Sequence, residues 1–388
     1  MDFELPQEIR LLQDNVRRFV NEELMPLEQA YKDEPDLPDD IRAGLHDKAR
    51  KLGFWAMDLP EDVGGGGIGY LPLCVVYEEL ARCLVPGFRA AMVFSPFLGP
   101  VLLSAQGDLR ERFLMPVVRG EMRTCFGLTE AGAGSDPTQM KTVAVRNGDN
   151  YIVNGAKMYI TGANKAQFIQ LFARTGTDAK GKPEISCLLV EMDRPGVKLG
   201  QRIELVSPDR PWEVVFENVE VPAGNMIGKP GEGWDLARSF LDVGRLIHGP
   251  KAVGRAERAL QLATSYANDR KTFGQPLSSR QAIQWQIADS AVEIHAARLM
   301  TYHAAWMADQ GMNFHAQASA VKLFCDEMLM RVIDRAIQIH GALGLSRELP
   351  LENIFRDARS RLITEGSSEM QRIIISSQLL SGRRQALF

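Results

Sequence analysis

The sequence predicts a mixed α and β protein in three parts: an N-terminal helical domain over residues 1–120, a middle β-barrel or sandwich domain over 121–230, and a C-terminal four-helix bundle over 231–388. Two observations carry this. Apolar residues recur with helical spacing at both ends of the chain and with a period of two between them. A chain of 388 residues is also too long for one simple core.

From Pro6 to about Tyr31, Ile9, Leu12, Val16, Phe19, Val20 and Leu24 share one helical face. Ile41 to Leu52, Leu73 to Leu84 and Leu98 to Val118 repeat the pattern between Pro and Gly breaks. Among these, Gly64, Gly66 and Gly69 spell G-x-G-x-x-G. That spacing marks a dinucleotide site only between a strand and a helix, with an acidic residue about 20 positions on. Here Pro60, Glu61 and Asp62 precede it, Pro72 follows, and the acidic position falls near Arg89. It reads as a flexible loop between helices, not as a Rossmann site.

In the middle part, Thr142–Val145 and Tyr151–Val153 flank Asn147-Gly148, a hairpin signal, and Asn154-Gly155 follows at once. Phe168–Ala173, Ile185–Glu191, Val197–Leu205 and Trp212–Val221 continue the short β-branched runs. After Gly233 the helical period returns over Trp234–Arg270, Ser279–Gln310, Phe314–His340 and Ser368–Leu380, which reads as a bundle.

Composition narrows the function. Net charge is −4 with 24% charged residues, so no nucleic-acid surface is expected. Cys74, Cys83, Cys125, Cys187 and Cys325 are scattered without a CxxC pair and read as buried thiols, not disulfides or metal ligands. The start has no signal or transit character and no apolar run approaches membrane length, so a cytoplasmic protein of bacterial type is expected, or one whose targeting peptide is gone.

One carboxylate stands out. Glu365 precedes Gly366 and a helix that Ser368 and Gln371 would begin at capping-box spacing. A carboxylate on such a bend projects past the helix end and can act as a general base. On this segment alone a solvated loop acid is the simpler reading.

The stretch TEGSSEMQR (364–372) resembles the active-site segment of the acyl-CoA dehydrogenase family. LTEAGAGSD (128–136), NGAKMYITGA (154–163), DRKTFGQPLSSRQAIQ (269–284) and IQIHGALG (337–344) resemble that family's other motifs, in its order and over essentially the whole chain. The resemblance implies FAD held between the β domain and the bundle, and an acyl-CoA thioester as substrate. It implies Glu365 as the base, with Asp242, Arg245, Ser135 and Gly366 on the substrate. It places Phe126, Leu128, Thr129, Gly134, Ser135, Tyr159, Thr161, Ser367 and Glu369 around the flavin. Arg270, Phe273, Leu277 and Gln281 follow on the rest of the cofactor, and Gln338 and Gly341 belong to a neighbouring subunit's grip on it. A homo-oligomer (dimer or tetramer) and an electron-transferring flavoprotein as acceptor are also implied, with no metal, membrane or nucleic acid. An apolar pocket around Glu365 is expected to raise its pKa.

Three features qualify the resemblance. Tyr159 stands where many relatives have Trp, Ala342 where they have a second glycine, and Glu369 where the straight-chain enzymes have glutamine. Some relatives carry the base just before an arginine on another helix; that position is Gly244 here, which leaves Glu365 alone. Ser207 to Trp212 and the Gly244-to-His248 stretch are closer to a less-studied branch, and His248 is read as an ordinary helix histidine because no Asp or Ser constellation lies nearby in sequence. The competing readings are an enoyl-CoA reductase or a flavin oxidase or monooxygenase on the same fold, and a non-catalytic acyl-CoA- or FAD-binding subunit. Asp242 and Arg245 are also spaced as a simple helix ion pair.

Overall fold

A computed structural model describes residues 4–34, 36–85 and 92–381. Helices α1 (Gln7–Phe19), α2 (Met25–Tyr31), α3 (Asp39–Lys51), α4 (Tyr70–Ala81), α5 (Gly99–Leu103) and α6 (Met115–Val118) form the first part. One wide π-turn, Val20–Leu24, joins α1 to α2, and another, Arg110–Leu114, leads into α6. Each stands just before a helix with proline in its first turn, Pro26 or Pro116. Proline cannot donate to the carbonyl four residues back, and the widened turn absorbs that lost bond without breaking the helix.

The glycine-rich segment 64–69 is not a flexible loop. Its backbone is tied down, with Gly66 N–H donating to Ala56, Gly67 to Leu59 and Ile68 to Met57 at 2.9–3.0 Å. A Cβ on Gly65 would stand 2.1 Å from the Leu59 carbonyl oxygen and one on Gly66 2.9 Å from Met57 Cα, so these glycines permit close backbone packing. No βαβ unit surrounds them among the described residues; Arg89 lies outside those residues.

The middle part is an eight-stranded sheet of β1 (Thr124–Gly127), β2 (Val143–Asn147), β3 (Asn150–Ile160), β4 (Phe168–Thr177), β5 (Pro183–Glu191), β6 (Val197–Arg202), β7 (Trp212–Pro222) and β8 (Met226–Ile227), in the order β6-β7-β3-β2-β4-β5-β8 with β1 parallel to β4. The hairpin of β2 (Val143–Asn147) and β3 (Asn150–Ile160) turns at Gly148, as its Asn-Gly signal predicts. Asn154-Gly155 is instead a bulge inside β3, facing β7 (Trp212–Pro222). Gly155 has φ 145°, and a Cβ there would meet Thr142 Oγ1 at 2.5 Å. Gly155→Ala is therefore expected to lose about 1–3 kcal/mol of stability, read as a lower midpoint in urea unfolding.

β4 (Phe168–Thr177) does not alternate: both its faces are buried over its first six residues. Ile169, Leu171 and Ala173 join β5 (Pro183–Glu191) and β7 in the sheet's own interior. Phe168 and Phe172 face the helices instead, against Phe113, Leu114 and Val117. Helices covering the outer face explain why the period-two signal is lost there. β6 (Val197–Arg202) and β8 (Met226–Ile227) complete the sheet.

Three long helices follow: α7 (Gly233–Asp269), α8 (Gln281–Asp309) and α9 (His315–His340), with α10 (Leu351–Arg361) and α11 (Ser368–Leu380). The segment α10, flanked by Pro350 and rich in charge, is an element the apolar pattern does not reveal. Small side chains such as Ala252, Ala256, Ala259, Ala263 and Ala267 let α7 sit close against its neighbours. Helix α4 closes the bundle from the N-terminal side through Leu73 and Cys74, and the Asp309 carboxylate caps its first N–H groups, 2.5 Å from Tyr70 N and 2.9 Å from Leu71 N. A two-stranded ribbon, β9 (Lys271–Thr272) with β10 (Gln275–Pro276), joins α7 to α8. No described helix is long and apolar enough to cross a membrane.

Candidate active site

Glu365 lies between α10 and α11 in the left-handed region, with φ 54°, and Gly366 follows at φ 94°. A β-carbon makes that conformation costly, by about 1–3 kcal/mol. It persists because both flanks are fixed. Ser367, and not Ser368, caps α11 by accepting from Met370 N–H, and Gln371 folds back to donate to the Gly366 carbonyl at 2.8 Å. Ser368 is already the first helical residue and is buried.

This bend aims the carboxylate at α7. A Cβ built on Gly244 would stand 1.9 Å from Glu365 Oε2, so the acid fills the space that any larger residue there would need. Arg245, beside it, donates through Nε to the Glu365 backbone carbonyl at 3.4 Å and pairs through its terminal nitrogen with Asp242 at 3.1 Å. His315 Nδ1 holds the same Asp242 oxygen at 2.7 Å. The helix ion pair is thus real, and it also forms one wall of the site.

Oε2 of Glu365 is buried with no partner in the protein. Oε1 lies 3.8 Å from His248 Nε2. Burial pushes the carboxyl pKa up, but His248, Lys251 and Lys322 outweigh it and hold the group below the usual glutamate range. This corrects the expectation of a raised pKa: the surroundings are cationic, not apolar.

These neighbours form a buried network. His248 Nδ1 is 2.7 Å from Asp326 Oδ2. Arg361 Nε donates to the other Asp326 oxygen at 2.9 Å, and Lys322 Nζ approaches Oδ2 at 3.3 Å. His248 therefore does belong to a constellation. Its partner is 78 residues away on α9, invisible to any local pattern. Despite burial, His248, Arg361 and Lys322 together hold Asp326 well below the usual carboxylate range. Its depressed pKa means that its contribution to stability is complete above about pH 4 and is lost as pH falls further. Asp326→Ala strands the buried Arg361 and Lys322 and leaves His248 Nδ1 without its partner, and is expected to destabilise by about 3–5 kcal/mol at pH 7, checked by denaturant unfolding.

The residues expected around the flavin divide into two groups. Thr129 and Tyr159 are neighbours across the β1–β3 junction, where Met158 N–H donates to the Thr129 carbonyl at 2.9 Å. Lys157 Nζ donates to the Leu128 carbonyl at 3.1 Å and to Glu130 at 2.7 Å, which fixes this segment. The Leu128 side chain is in the core, and Phe126 packs on Phe172 with ring centroids 4.9 Å apart. Gly134 and Ser135 are exposed. Tyr159 is 53% exposed and sits at φ 61°, and the Thr161 hydroxyl donates to Asp209 at 2.9 Å. Arg356 of α10 donates to the Val206 carbonyl at 3.3 Å, binding the 203–211 loop to the bundle beside this patch. Ser367 and Glu369 lie at the start of α11, with Ser367 half-buried and Glu369 exposed.

Arg270, Phe273, Leu277, Gln281, Gln338 and Gly341 form the second group, at the other end of the bundle. There Tyr266 of α7 stacks on His340 of α9, with centroids 4.5 Å apart. Gly244 and Arg270 are both carried by the α7 region and lie roughly 40 Å apart along it at the rise of an α-helix. The chain does not bring Arg270 to its own Glu365. Phe273 is 98% exposed at φ 50°.

Among the described residues, five other than glycine have positive φ: Ala56, Tyr159, Asn218, Phe273 and Glu365. Three of these, Tyr159, Phe273 and Glu365, are positions singled out from the sequence. Strain held at such residues is a mark of a functional site. Two exposed, strained aromatics suit a planar ligand, and the orphaned Glu365 oxygen suits a group with a proton to give. The residues present fit FAD and a thioester.

Comparison with known proteins agrees. Residues 6–121, 125–219 and 231–380 match the N-terminal, middle and C-terminal domains of acyl-CoA dehydrogenase. The chain belongs to the acyl-CoA dehydrogenase family. It is 37% identical over 383 residues to a probable acyl-CoA dehydrogenase of Bacillus subtilis, covering 98% of this chain and 100% of the relative. It is 35% identical over 384 residues to the mitochondrial short-chain specific acyl-CoA dehydrogenase of Homo sapiens, covering 98% and 92%. Butyryl-CoA dehydrogenase of Megasphaera elsdenii has a similar structure, with a TM-score of 0.87 at 31% identity, covering 98% of this chain and all of that one. Members of the acyl-CoA dehydrogenase family bind FAD, and this protein is a flavoprotein oxidoreductase acting on acyl-CoA.

Proposed function

We propose that this acyl-CoA dehydrogenase desaturates its thioester at the α,β position, with Glu365 taking the α-proton. The observation that carries the reading is the aim of Glu365: a strained backbone holds its carboxylate against Gly244, with Oε2 buried and unpaired. When bound, FAD supplies the hydride acceptor at N5 for the β-hydrogen. The carboxylate does the rest of the proton chemistry, and its low pKa keeps it ionised and ready to accept. The Glu365 backbone N–H is the donor for the thioester oxygen as negative charge develops there. Asp242, Arg245 and Gly366 would line the thioester side, and Ser135 the CoA side.

Phe126, Leu128, Thr129, Gly134, Tyr159, Thr161, Ser367 and Glu369 would hold the flavin ring. Arg270, Phe273, Leu277, Gln281, Gln338 and Gly341, at the far end of the bundle, would hold the cofactor of a second copy. An apolar stripe supports such a homo-oligomer: Trp285, Val292, Leu299 and Trp306 recur every seven residues along α8 and are 60%, 69%, 39% and 45% exposed. Electrons would pass to an electron-transferring flavoprotein.

Anaerobic titration of the purified yellow protein with short, medium, branched and aromatic acyl-CoAs tests the reading. Bleaching of the flavin band by one class is expected and names the substrate. No bleaching by any thioester, with FAD bound, would point to an oxidase, monooxygenase or reductase instead.

A further inference from the structure

His248 is buried, at 6% exposure, and its two ring nitrogens face two different carboxylates. Nδ1 is 2.7 Å from Asp326, and Nε2 is 3.8 Å from Glu365 Oε1. Asp326 cannot swing away, because Arg361 and Lys322 pin it from α10 and α9. The backbone of His248 is pinned as well, since Arg361 donates to its carbonyl at 2.8 Å. The imidazole therefore has one orientation, and that orientation points Nε2 at the one oxygen of Glu365 that has a neighbour.

We propose that His248, locked by Asp326, is the positioning residue that aims the Glu365 carboxylate across Gly244 toward the substrate. The proposal rests on Glu365 being the base. The groups that act on Glu365 are Arg245, His248 and Lys251 from α7, Lys322 from α9 and Arg361 from α10, with Asp326 of α9 behind His248. Asp242 balances Arg245, and Asp357 pairs with Arg255 behind them at 3.2 Å. Among these, His248 approaches Oε1 and is itself held by a second acid.

A general base works only when deprotonated, so kcat/KM falls as pH drops through its pKa. His248 helps to hold that pKa down, and removing it moves the acid limb up. The test compares wild type, His248→Gln and Glu365→Gln as purified FAD-loaded proteins, reading kcat/KM against pH with melting temperature alongside. In His248→Gln the acid limb is expected to rise by about 1 pH unit or more, and kcat at its plateau to fall about tenfold or more from lost aim. KM is expected to change less than kcat. A His248→Gln protein with wild-type limb and rate overturns the proposal, as does one that only melts earlier. Should that variant not fold, His248→Asn decides by the same two readings, and an unchanged limb and rate there overturn the proposal. A Glu365→Gln protein as active as wild type would instead sink the base assignment, a distinct failure.

Discussion

Replacing Glu365 by glutamine is expected to cut flavin reduction by acyl-CoA by about 10³-fold or more, while FAD and thioester still bind. General-base catalysis contributes about 10²–10⁴-fold, and the side chain that glutamine presents cannot accept the proton in the same way. Binding survives because the substitution keeps the shape and leaves the backbone N–H in place. Glutamine also removes one charge from a cation-rich pocket, where His248, Lys251 and Lys322 all act on Glu365. Because the depressed pKa of Glu365 means that the ionised form stabilises the fold, the variant is expected to melt somewhat earlier, although Oε2 has no protein hydrogen bond to lose. Glu365→Asp keeps the charge but draws it back by one methylene, and an intermediate loss is expected. Stopped-flow bleaching of the flavin band under anaerobic conditions reads all of these.

Gly244→Ala should have the second-largest effect, although it adds only one methyl group. Its Cβ would come within 1.9 Å of Glu365 Oε2, well inside van der Waals contact. The carboxylate must swing aside. A misplacement of about 1 Å costs on the order of 10²-fold in rate, so a drop of that size in kcat is expected with FAD retained. The same geometry makes a reciprocal prediction. With Glu365→Gly the space is clear, and Gly244→Glu in that background should bring a carboxylate to the same place and restore part of the activity. Wild-type kcat in the Gly244→Ala protein would mean that the carboxylate does not work from the position seen here.

Much of the fold is readable in the sequence, because long helices and short alternating strands have distinct periods. The helices α7, α8, α9 and α11 begin and end within two residues of their apolar patterns. The failures have physical causes. Asn154-Gly155 carries a hairpin signal but sits in a strand paired on both sides, so tertiary pairing overrides turn propensity and leaves a bulge. In β4 the alternation vanishes because helices cover the sheet's outer face. The tight backbone bonding of 64–69 cannot be told from a flexible loop by composition.

At the site, the motifs pick out Tyr159, Phe273 and Glu365, all of which prove to be strained. What they cannot supply is mutual position. Arg270 and Glu365 belong to one cofactor's chemistry in the family resemblance, yet lie at opposite ends of one helix bundle. Burial alone would raise the pKa of Glu365, whereas its neighbours on α7 and α9 bring it down. The His248–Asp326 pair joins helices whose sequences carry no shared pattern. Long-range electrostatics of this kind is set by packing.

The most direct measurement of the central claim is single-turnover flavin reduction by the best acyl-CoA, in wild type and Glu365→Gln side by side, with thioester affinity determined separately. Equal binding is expected, with rapid bleaching in wild type and almost none in the variant. Bleaching of the variant at the wild-type rate would contradict it, and would place the base elsewhere than on the strained bend between α10 and α11.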